Sequence, residues 1–499
     1  LQMSTGKLSI SSLPSADAGS IAKVIPHGEH FHNAKGLGWF VTGLFVVGDL
    51  AGGGIVALPT ALIQSDFYLG VGLMIIMTFI VTFTSYVLGR SWTTLTECWP
   101  EYRHHTRKPY AEIGFRAAGK WMRIFVSIIC NITQFMIAVV YILLAAKNIQ
   151  DAVKAFAGVD FSFCIVVIIL AVCLLPLTFL KSPADFWWAV VIAMVTTSVA
   201  VILIVTGAII DYGECHPYSR LPDFKVTNIF LALGTFLFSY GGHTAFPTIQ
   251  HDMKTPADFT KSTLLAFSIM AAMYLPTGIA GYLAYGDSLR DSVINSIQTI
   301  AIQQAINILI TVHLILTLTI VFNPLNQEME ELFRVPQSFC WQRVLVRTGI
   351  MVVVVFVAES VPSFGPLLDL VGGSTLTLSS IVFPCIFFCF INARKKKMLE
   401  HGHDQGVASF SDVLKYNKTW ILVASAICVV FGIIGGGAAT FSAIVEITST
   451  KFEYPCYVSP FLNLTDSSDS SSTNCCGAYQ NITVYDTVTC SNPDLDFYG

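Results

Sequence analysis

Long apolar segments alternate with short polar ones between residues 38 and 445. A helix needs about 20 apolar residues to cross the hydrocarbon core of a bilayer, and about eleven segments reach or approach that length. The pattern therefore predicts an all-α, polytopic membrane protein of about eleven spans. The predicted spans are roughly residues 38–63, 69–92, 121–147, 161–180, 185–210, 228–250, 263–285, 298–323, 344–361, 366–391 and 419–445.

Two of these spans, the first and the sixth, carry glycine at their middles. The first contains GDLAGGGIVALP over Gly48–Pro59, and the sixth contains SYGGHTAFPTIQ over Ser239–Gln250. In a helix interior a glycine costs about 1 kcal/mol relative to alanine and a proline about 3 kcal/mol. Irregular backbone at membrane depth is tolerated only where protein buries it or where it lines a cavity. Both spans are therefore predicted to be broken helices.

The positions of the two breaks predict a 5+5 inverted repeat, with one five-span unit over 38–210 and the other over 228–391. Interrupted segments at matching positions of two repeats mark the substrate site of many secondary transporters. Half-helix N-termini offer N–H groups to a carboxylate, and freed carbonyls can hold a cation or an ammonium group. An amino acid carries both groups on one carbon. The breaks thus favour a secondary active transporter of amino acids that works by alternating access.

The remaining segments are a polar N-terminal tail (1–37), an outer loop (211–227), a basic loop (392–418), the last span (419–445) and a C-terminal tail (446–499). Lys and Arg collect in the loops on the side of the N-terminus, which hold about 20 of the 28 basic residues. Basic residues favour cytosolic loops. The expected topology has a cytosolic N-terminus and, after an odd number of spans, an exoplasmic C-terminus.

The C-terminal tail carries two glycosylation sequons, at Asn463 and Asn481. Clustered cysteines and acceptor sequons are typical of an oxidising, exoplasmic compartment. We expect both asparagines to be glycosylated and the tail to be disulfide-bonded, with the pairing left open. The disulfide candidates are Cys456, Cys475, Cys476, Cys490 and, in the outer loop, Cys215.

Ionisable side chains are rare within the spans, and a charge at the bilayer centre costs about 2.5–3.5 kcal/mol on insertion scales. Asp49 precedes the first break and is a candidate for substrate or ion binding. His243, in the second break, is a candidate proton relay or pocket wall. His313 on span 8 is more simply a packed histidine, so His243→Ala is expected to weaken transport more than His313→Ala.

Other candidates are polar groups near the breaks. Tyr141 on span 3 and Tyr240 in the second break are candidates for the substrate pocket. The hydroxyls of Thr311 and Thr317 on span 8 could complete a sodium site with freed carbonyls of span 1.

Composition limits the other function classes. Hydrophobic residues make up 54% of the chain and charged residues 12%, about half the charged fraction of soluble domains. Membrane lipid is therefore the expected surrounding medium, and the net charge of −4 indicates no nucleic-acid partner. Neither a nucleophile–base pair nor a metal or phosphate motif is evident, so we expect no enzyme activity, no cofactor and no metal.

Four stretches taken together resemble the amino acid/auxin permease family. The resemblance implies eleven spans, a leucine-transporter-like core and transport of amino acids, usually with protons and in some branches with sodium. It also implies that Gly52 and Gly54 present N–H groups to the substrate carboxylate, with Gly242 and His243 on the other wall. Asp49 and the cysteine-rich tail depart from the family pattern. The four stretches are Ala51–Pro59, Phe238–Pro247, Ile279–Ser288 and Phe364–Gly373 followed by Pro384.

Several alternatives stay open. The coupling ion is expected to be a proton, with sodium as the alternative. The chain could instead be an amino-acid sensor that signals to a cytosolic partner. The membrane is either the plasma membrane or a lysosomal or vesicular membrane. A small neutral amino acid is the expected substrate.

Overall fold

The computed structural model describes residues 31–33, 36–104, 106, 108–159, 161–179, 187–222, 224–336, 340–450, 454–458, 461 and 476. Over these residues the fold is all-helical, and the β-structure is limited to one isolated parallel bridge between Leu37 and Met253. The described α-helices are α1 (Trp39–Leu50), α2 (Leu58–Ser65), α3 (Phe67–Cys98), α4 (Pro109–Ala118), α5 (Lys120–Ala157), α6 (Phe163–Thr178), α7 (Trp187–Cys215), α8 (Val226–Ser239), α9 (Phe246–His251), α10 (Phe259–Tyr285), α11 (Ile300–Leu332), α12 (Trp341–Ser360), α13 (Phe364–Val371), α14 (Phe383–His401), α15 (Phe410–Tyr416) and α16 (Thr419–Val445).

Seven helices in the described ranges are long and apolar enough to cross a membrane, and α1 with α2 forms an eighth crossing that is bent by 56°. Helices α6 and α8 are apolar but shorter. The multi-pass architecture is confirmed, whereas the number eleven stays a prediction.

Large apolar side chains cover the outside of the bundle. Phe79 is 71% exposed, Val172 64% and Ile434 67%. Water-soluble monomers rarely expose contiguous apolar surface of this kind. These side chains are suited to contact lipid tails.

Both predicted breaks are confirmed. α1 ends at Leu50, and the chain turns through Ala51–Gly54 and a short 3-10 segment before α2 begins. α8 ends at Ser239, and α9 begins at Phe246. Each break therefore lies at the glycines that the sequence places in the middle of spans 1 and 6.

Alternating helix directions give the bundle two ends. We call the end where α1 begins the N-terminal face and the other end the distal face. The segments next to α1 and α9 pair at the N-terminal face, where Leu37 N–H donates to Asp252 O at 3.0 Å and Lys254 N–H donates to Leu37 O at 2.7 Å. The outer ends of the two half-helices are thereby tied together.

The basic loop 392–418 is more ordered than its composition suggests. α14 continues to His401, and its basic side chains pair with acidic residues of the same face, as in Arg394–Asp404 and Lys395–Glu97, both at 2.6 Å. The hydrogen bond from Lys397, with those from Ser409, lowers the pKa of Asp412 to about 2. These pairs fix the loop against α3 and α15.

The disulfide expectation needs one correction. Cys456 is bonded to Cys164 at the start of α6, a residue that was not among the candidates. The reason is tertiary: the tail folds back over α12, where Cys456 N–H donates to Glu359 O at 2.8 Å. Cys215 and Cys476 are buried free thiols. The other tail residues named above, Cys475, Cys490, Asn463 and Asn481, lie outside the described residues.

Candidate functional site

A cavity of about 370 Å³ enters the bundle from the N-terminal face and ends at the two helix breaks. Its mouth includes Leu37, Lys108, Asp252 and Glu331, all of which belong to loops or helix ends of that face. The cavity therefore connects the N-terminal face with the irregular backbone in the middle of the bundle.

The inner end of the cavity is formed by both breaks and by α5. Asp49 and Leu50 come from the end of α1, Tyr141 from α5, and Gly241 and Gly242 from the second break. Asp49 is half-buried. Within the described residues the carboxylate of Asp49 forms no salt bridge. The inner end of the cavity therefore contains an acidic group that no described Lys or Arg pairs with.

The two breaks pack against each other reciprocally. A β-carbon added at Gly54 would stand 2.4 Å from Ser239 Oγ, and one added at Gly242 would stand 1.9 Å from a terminal carbon of Leu50. Leu50 and Ser239 are the last residues of α1 and α8. Each break therefore packs its glycine directly against the end of the other half-helix, as expected for two halves of one symmetric site.

One tyrosine serves the ends of both half-helices. The hydroxyl of Tyr274 on α10 donates to Ser239 O at 2.9 Å and lies 3.5 Å from Leu50 O. The last carbonyls of a helix lack partners within the helix. Tyr274 thus satisfies carbonyl groups that the breaks would otherwise leave unpaired in an apolar environment.

Three predicted substrate-site residues, Asp49, Tyr141 and Gly242, line the cavity together. Gly52 and Gly54 are buried behind it, Gly52 against His313 and Gly54 against Ser239. The glycines are thus at the breaks but do not face the open space in this conformation.

The other two predicted pocket residues point away from the cavity. His243 is fully buried, and its Nε2 lies 3.0 Å from Thr84 Oγ1 and 2.9 Å from Ser85 Oγ on α3. Thr78 Oγ1, also on α3, donates to the hydroxyl of Tyr240 at 3.1 Å. Both side chains join the second break to α3.

Of the two hydroxyls proposed for a sodium site, one is hydrogen-bonded within its own helix and the other is buried. Thr317 Oγ1 donates to His313 O at 2.9 Å, and Thr311 is 9% exposed on the same helix. The structure brings a different group to the first break, namely the imidazole of His313.

Sequence reasoning did not identify the polar links between helices that shape the cavity. Gln134 on α5 donates to Thr244 Oγ1 in the second break at 3.3 Å. At the mouth, Lys108 bridges Glu328 and Glu331 at 3.1 and 3.4 Å. Such pairs depend on helix rotation and loop position, which a single sequence does not encode locally.

The distal face of the site is closed. Thr235 on α8 donates to Asp369 on α13. The backbone of Asp369 packs on Gly234, where an added β-carbon would stand 2.8 Å from the carbonyl oxygen. Thr60 on α2 donates to Arg290 O at 2.5 Å. These contacts separate the cavity from the distal face.

No group of three or more His, Cys, Asp or Glu side chains that could hold a metal ion occurs in the part of the chain that the structure describes.

Comparison with known proteins supplies a family. Residues 35–445 match the family model described as transmembrane amino acid transporter protein. Amino acid transporter AVT1H of Arabidopsis thaliana is 27% identical over 360 residues, which cover 69% of this chain and 79% of that protein. Amino acid transporter AVT1J of the same plant is 24% identical over 363 residues, covering 70% and 82%.

Among solved structures, MhsT in complex with L-phenylalanine superimposes with a TM-score of 0.50 at 13% sequence identity. The match covers 83% of this chain and 99% of that one. This likeness supports the fold, a leucine-transporter-like bundle with two broken helices.

Proposed function

The chain belongs to the transmembrane amino acid transporter protein family, and we propose that it is a proton-coupled symporter of small neutral amino acids. As a member of this family it is a multi-pass membrane transporter of amino acids and not an enzyme. The proposal adds the coupling ion, the range of substrates and the side of the membrane to which the cavity opens.

The observation that carries the proposal is the position of Asp49 at the inner end of the cavity. A half-buried carboxylate without a cation is costly, and a ligand that brings a positive charge offsets that cost. The α-ammonium group of an amino acid is such a ligand. On this reading Asp49 contacts the ammonium group of the substrate.

The opposite wall offers hydrogen-bond donors for the carboxylate of the substrate. Thr244 and Gln134 both line the cavity and are already oriented by their own contact. The space between these polar groups is bounded by apolar side chains, including Ile137, Phe238 and Leu376. Apolar walls favour a small uncharged side chain on the substrate.

The cavity is open at the N-terminal face and closed by Thr235 and Asp369 at the distal face. The basic loops of the N-terminal face favour a cytosolic location, so this conformation corresponds to the inward-open state. Alternating access would require the Thr235–Asp369 contact to open while the mouth, lined by Leu37 and Asp252 among others, closes. The proposed location is the plasma membrane or a lysosomal or vesicular membrane.

The test is uptake of a panel of labelled amino acids by proteoliposomes that contain the purified full chain. Uptake is compared with and without sodium, and at about pH 5.5 and about pH 7.5 outside, because these values bracket the range in which a histidine titrates. Proton coupling predicts faster uptake at the lower pH without sodium. Uptake that needs sodium and ignores pH would contradict the proton proposal, and binding without uptake would favour the sensor.

A further inference from the structure

We propose that His313 is the group that binds the coupling proton, at a site enclosed by α7, α11 and the first helix break. The inference rests on the proposed function, since it names the residue that would carry the proton of that symport. It replaces the sequence-based expectation that His243 matters more than His313.

The imidazole of His313 is held in one orientation by α7. Its Nδ1 lies 2.7 Å from Thr197 Oγ1 and 3.1 Å from Ala193 O. A carbonyl oxygen only accepts hydrogen bonds, so its position favours a proton on Nδ1 in the neutral ring. The lone pair then resides on Nε2.

Nε2 faces the first break and has no hydrogen-bond partner. The side chain is fully buried, and this nitrogen makes no hydrogen bond within the described part of the chain. A β-carbon added at Gly52 would stand 2.4 Å from Nε2. A buried polar atom without a partner is costly, so its persistence at this point needs an explanation.

The first break offers what a protonated Nε2 would need. The backbone hydrogen bonds of the described residues include none in which the carbonyl of Ala51 or Gly53 is the acceptor. A proton on Nε2 turns that atom into a charged donor against Gly52, the residue between these two carbonyl groups in the chain. Proton binding would therefore stabilise the irregular backbone that also presents Asp49 to the cavity.

Tyr141 provides the connection to water. A β-carbon added at Gly52 would stand 3.2 Å from the hydroxyl of Tyr141, and the Tyr141 side chain also lines the cavity. The proton would come from the aqueous phase on one side, reside on Nε2 while substrate is bound, and leave to the aqueous phase on the other side.

The other titratable groups near His313 are few. Asp49 on α1, Tyr141 on α5 and Tyr274 on α10 lie at the level of the break. The charged groups on the other helices around α11 lie near the helix ends, where each is paired or hydrogen-bonded. The pairs are Lys147 with Asp151 on α5, Asp211 with Tyr285 between α7 and α10, and Glu330 with Arg343 and Arg347 between α11 and α12. Glu214 on α7 and Glu359 on α12 also lie near the distal ends of their helices.

His243 provides the matched control. It is buried to the same extent and is also held by hydroxyl groups, those of Thr84 and Ser85. However, its ring packs on Phe246 with a centroid distance of 4.6 Å, and its hydrogen-bond contacts are with α3. Replacing His243 by a side chain that does not titrate should leave proton coupling intact.

The experiment uses the full chain in proteoliposomes, with two assays on the same preparation. The first measures accumulation of the best substrate of the panel driven by an imposed proton gradient, and the second measures exchange of labelled for unlabelled substrate without a gradient. His313→Asn keeps an N–H near the position of Nδ1 and removes the titratable nitrogen. We expect accumulation to fall about tenfold or more, a typical size for a coupling free energy, while exchange continues. His243→Asn should still accumulate substrate in the gradient.

The outcomes are distinguishable. If wild-type protein ignores the gradient, the proposed proton symport fails and this inference fails with it. If wild-type responds and His313→Asn accumulates substrate equally, only the assignment to His313 is overturned. Should His313→Asn not fold, Thr197→Val decides: loss of the hydroxyl beside Nδ1 should shift the pH midpoint of uptake, and an unchanged midpoint would count against the site.

Discussion

Gly52 lies directly against the imidazole of His313, so close that a β-carbon at Gly52 would stand 2.4 Å from Nε2. The contact joins the first helix break to the middle of α11. It explains why the break needs glycine here for reasons of space as well as of backbone freedom. The proposed proton on His313 would act on the break through this contact.

Gly52→Ala should therefore damage both folding and transport. The new methyl group meets His313 and Tyr141, and overpacking of this kind typically costs about 1–3 kcal/mol. The thermal stability of the purified protein and its uptake rate are the measurements. Gly72→Ala on α3 is the control, because no atom lies within 4 Å of the added carbon. Equal behaviour of the two variants would show that Gly52 is not constrained by His313.

Asp49→Asn should weaken substrate binding without loss of folded protein. A hydrogen bond to a charged group is worth about 1.5–3 kcal/mol, which corresponds to an increase in KM of about 10- to 100-fold. Uptake measured over a range of substrate concentrations gives the KM. Asp258→Asn is the control, since Asp258 pairs with Lys261 at 2.7 Å on the exposed surface of the N-terminal face. An unchanged KM in Asp49→Asn would remove the ammonium contact from the site.

Glu330→Gln should destabilise the protein far more than Glu331→Gln. The Glu330 carboxylate is buried, accepts a hydrogen bond from Arg347 at 2.6 Å and forms an ion pair with Arg343 at 3.0 Å. Breaking a buried ion pair by removing one partner costs about 3–5 kcal/mol. The neighbouring Glu331 side chain is 48% exposed, and exposed pairs contribute about 0–1 kcal/mol. Thermal unfolding in detergent compares the two variants, and similar shifts would contradict this reading.

Loss of the Cys164–Cys456 disulfide should lower thermal stability by the same amount whichever cysteine is replaced. Removing a native disulfide typically costs about 2–5 kcal/mol. Cys164→Ser, Cys456→Ser and the double variant should unfold at equal temperatures. Cys173→Ser, at an exposed free thiol on the same helix, should unfold like wild type. Peptide mapping without reductant checks the bond itself, and a different partner for Cys456 would overturn the pairing.

The sequence by itself determined the multi-pass architecture and the two breaks. Both depend on local properties: the length of an apolar segment against the thickness of a bilayer, and the cost of glycine and proline in a helix interior. The positions of the breaks, first and sixth, were sufficient to predict the inverted repeat. Asp49, Tyr141 and Gly242 also line one cavity. Asp49 and Gly242 are next to the breaks and Tyr141 is on a helix that faces them, so their positions along the chain place them near the same space.

Only the tertiary structure decided where the two buried histidines point. His243 belongs to the break and His313 to an uninterrupted helix, and the sequence therefore favoured His243. The packing of the second break and of α11 turns His243 toward α3 and His313 toward Gly52, and this placement is what favours His313 in the proposal. The partner of Cys456 was decided in the same way, by the return of the tail over α12. Contacts between distant segments depend on how helices rotate and pack as rigid bodies, and periodicity along one chain carries no record of that rotation.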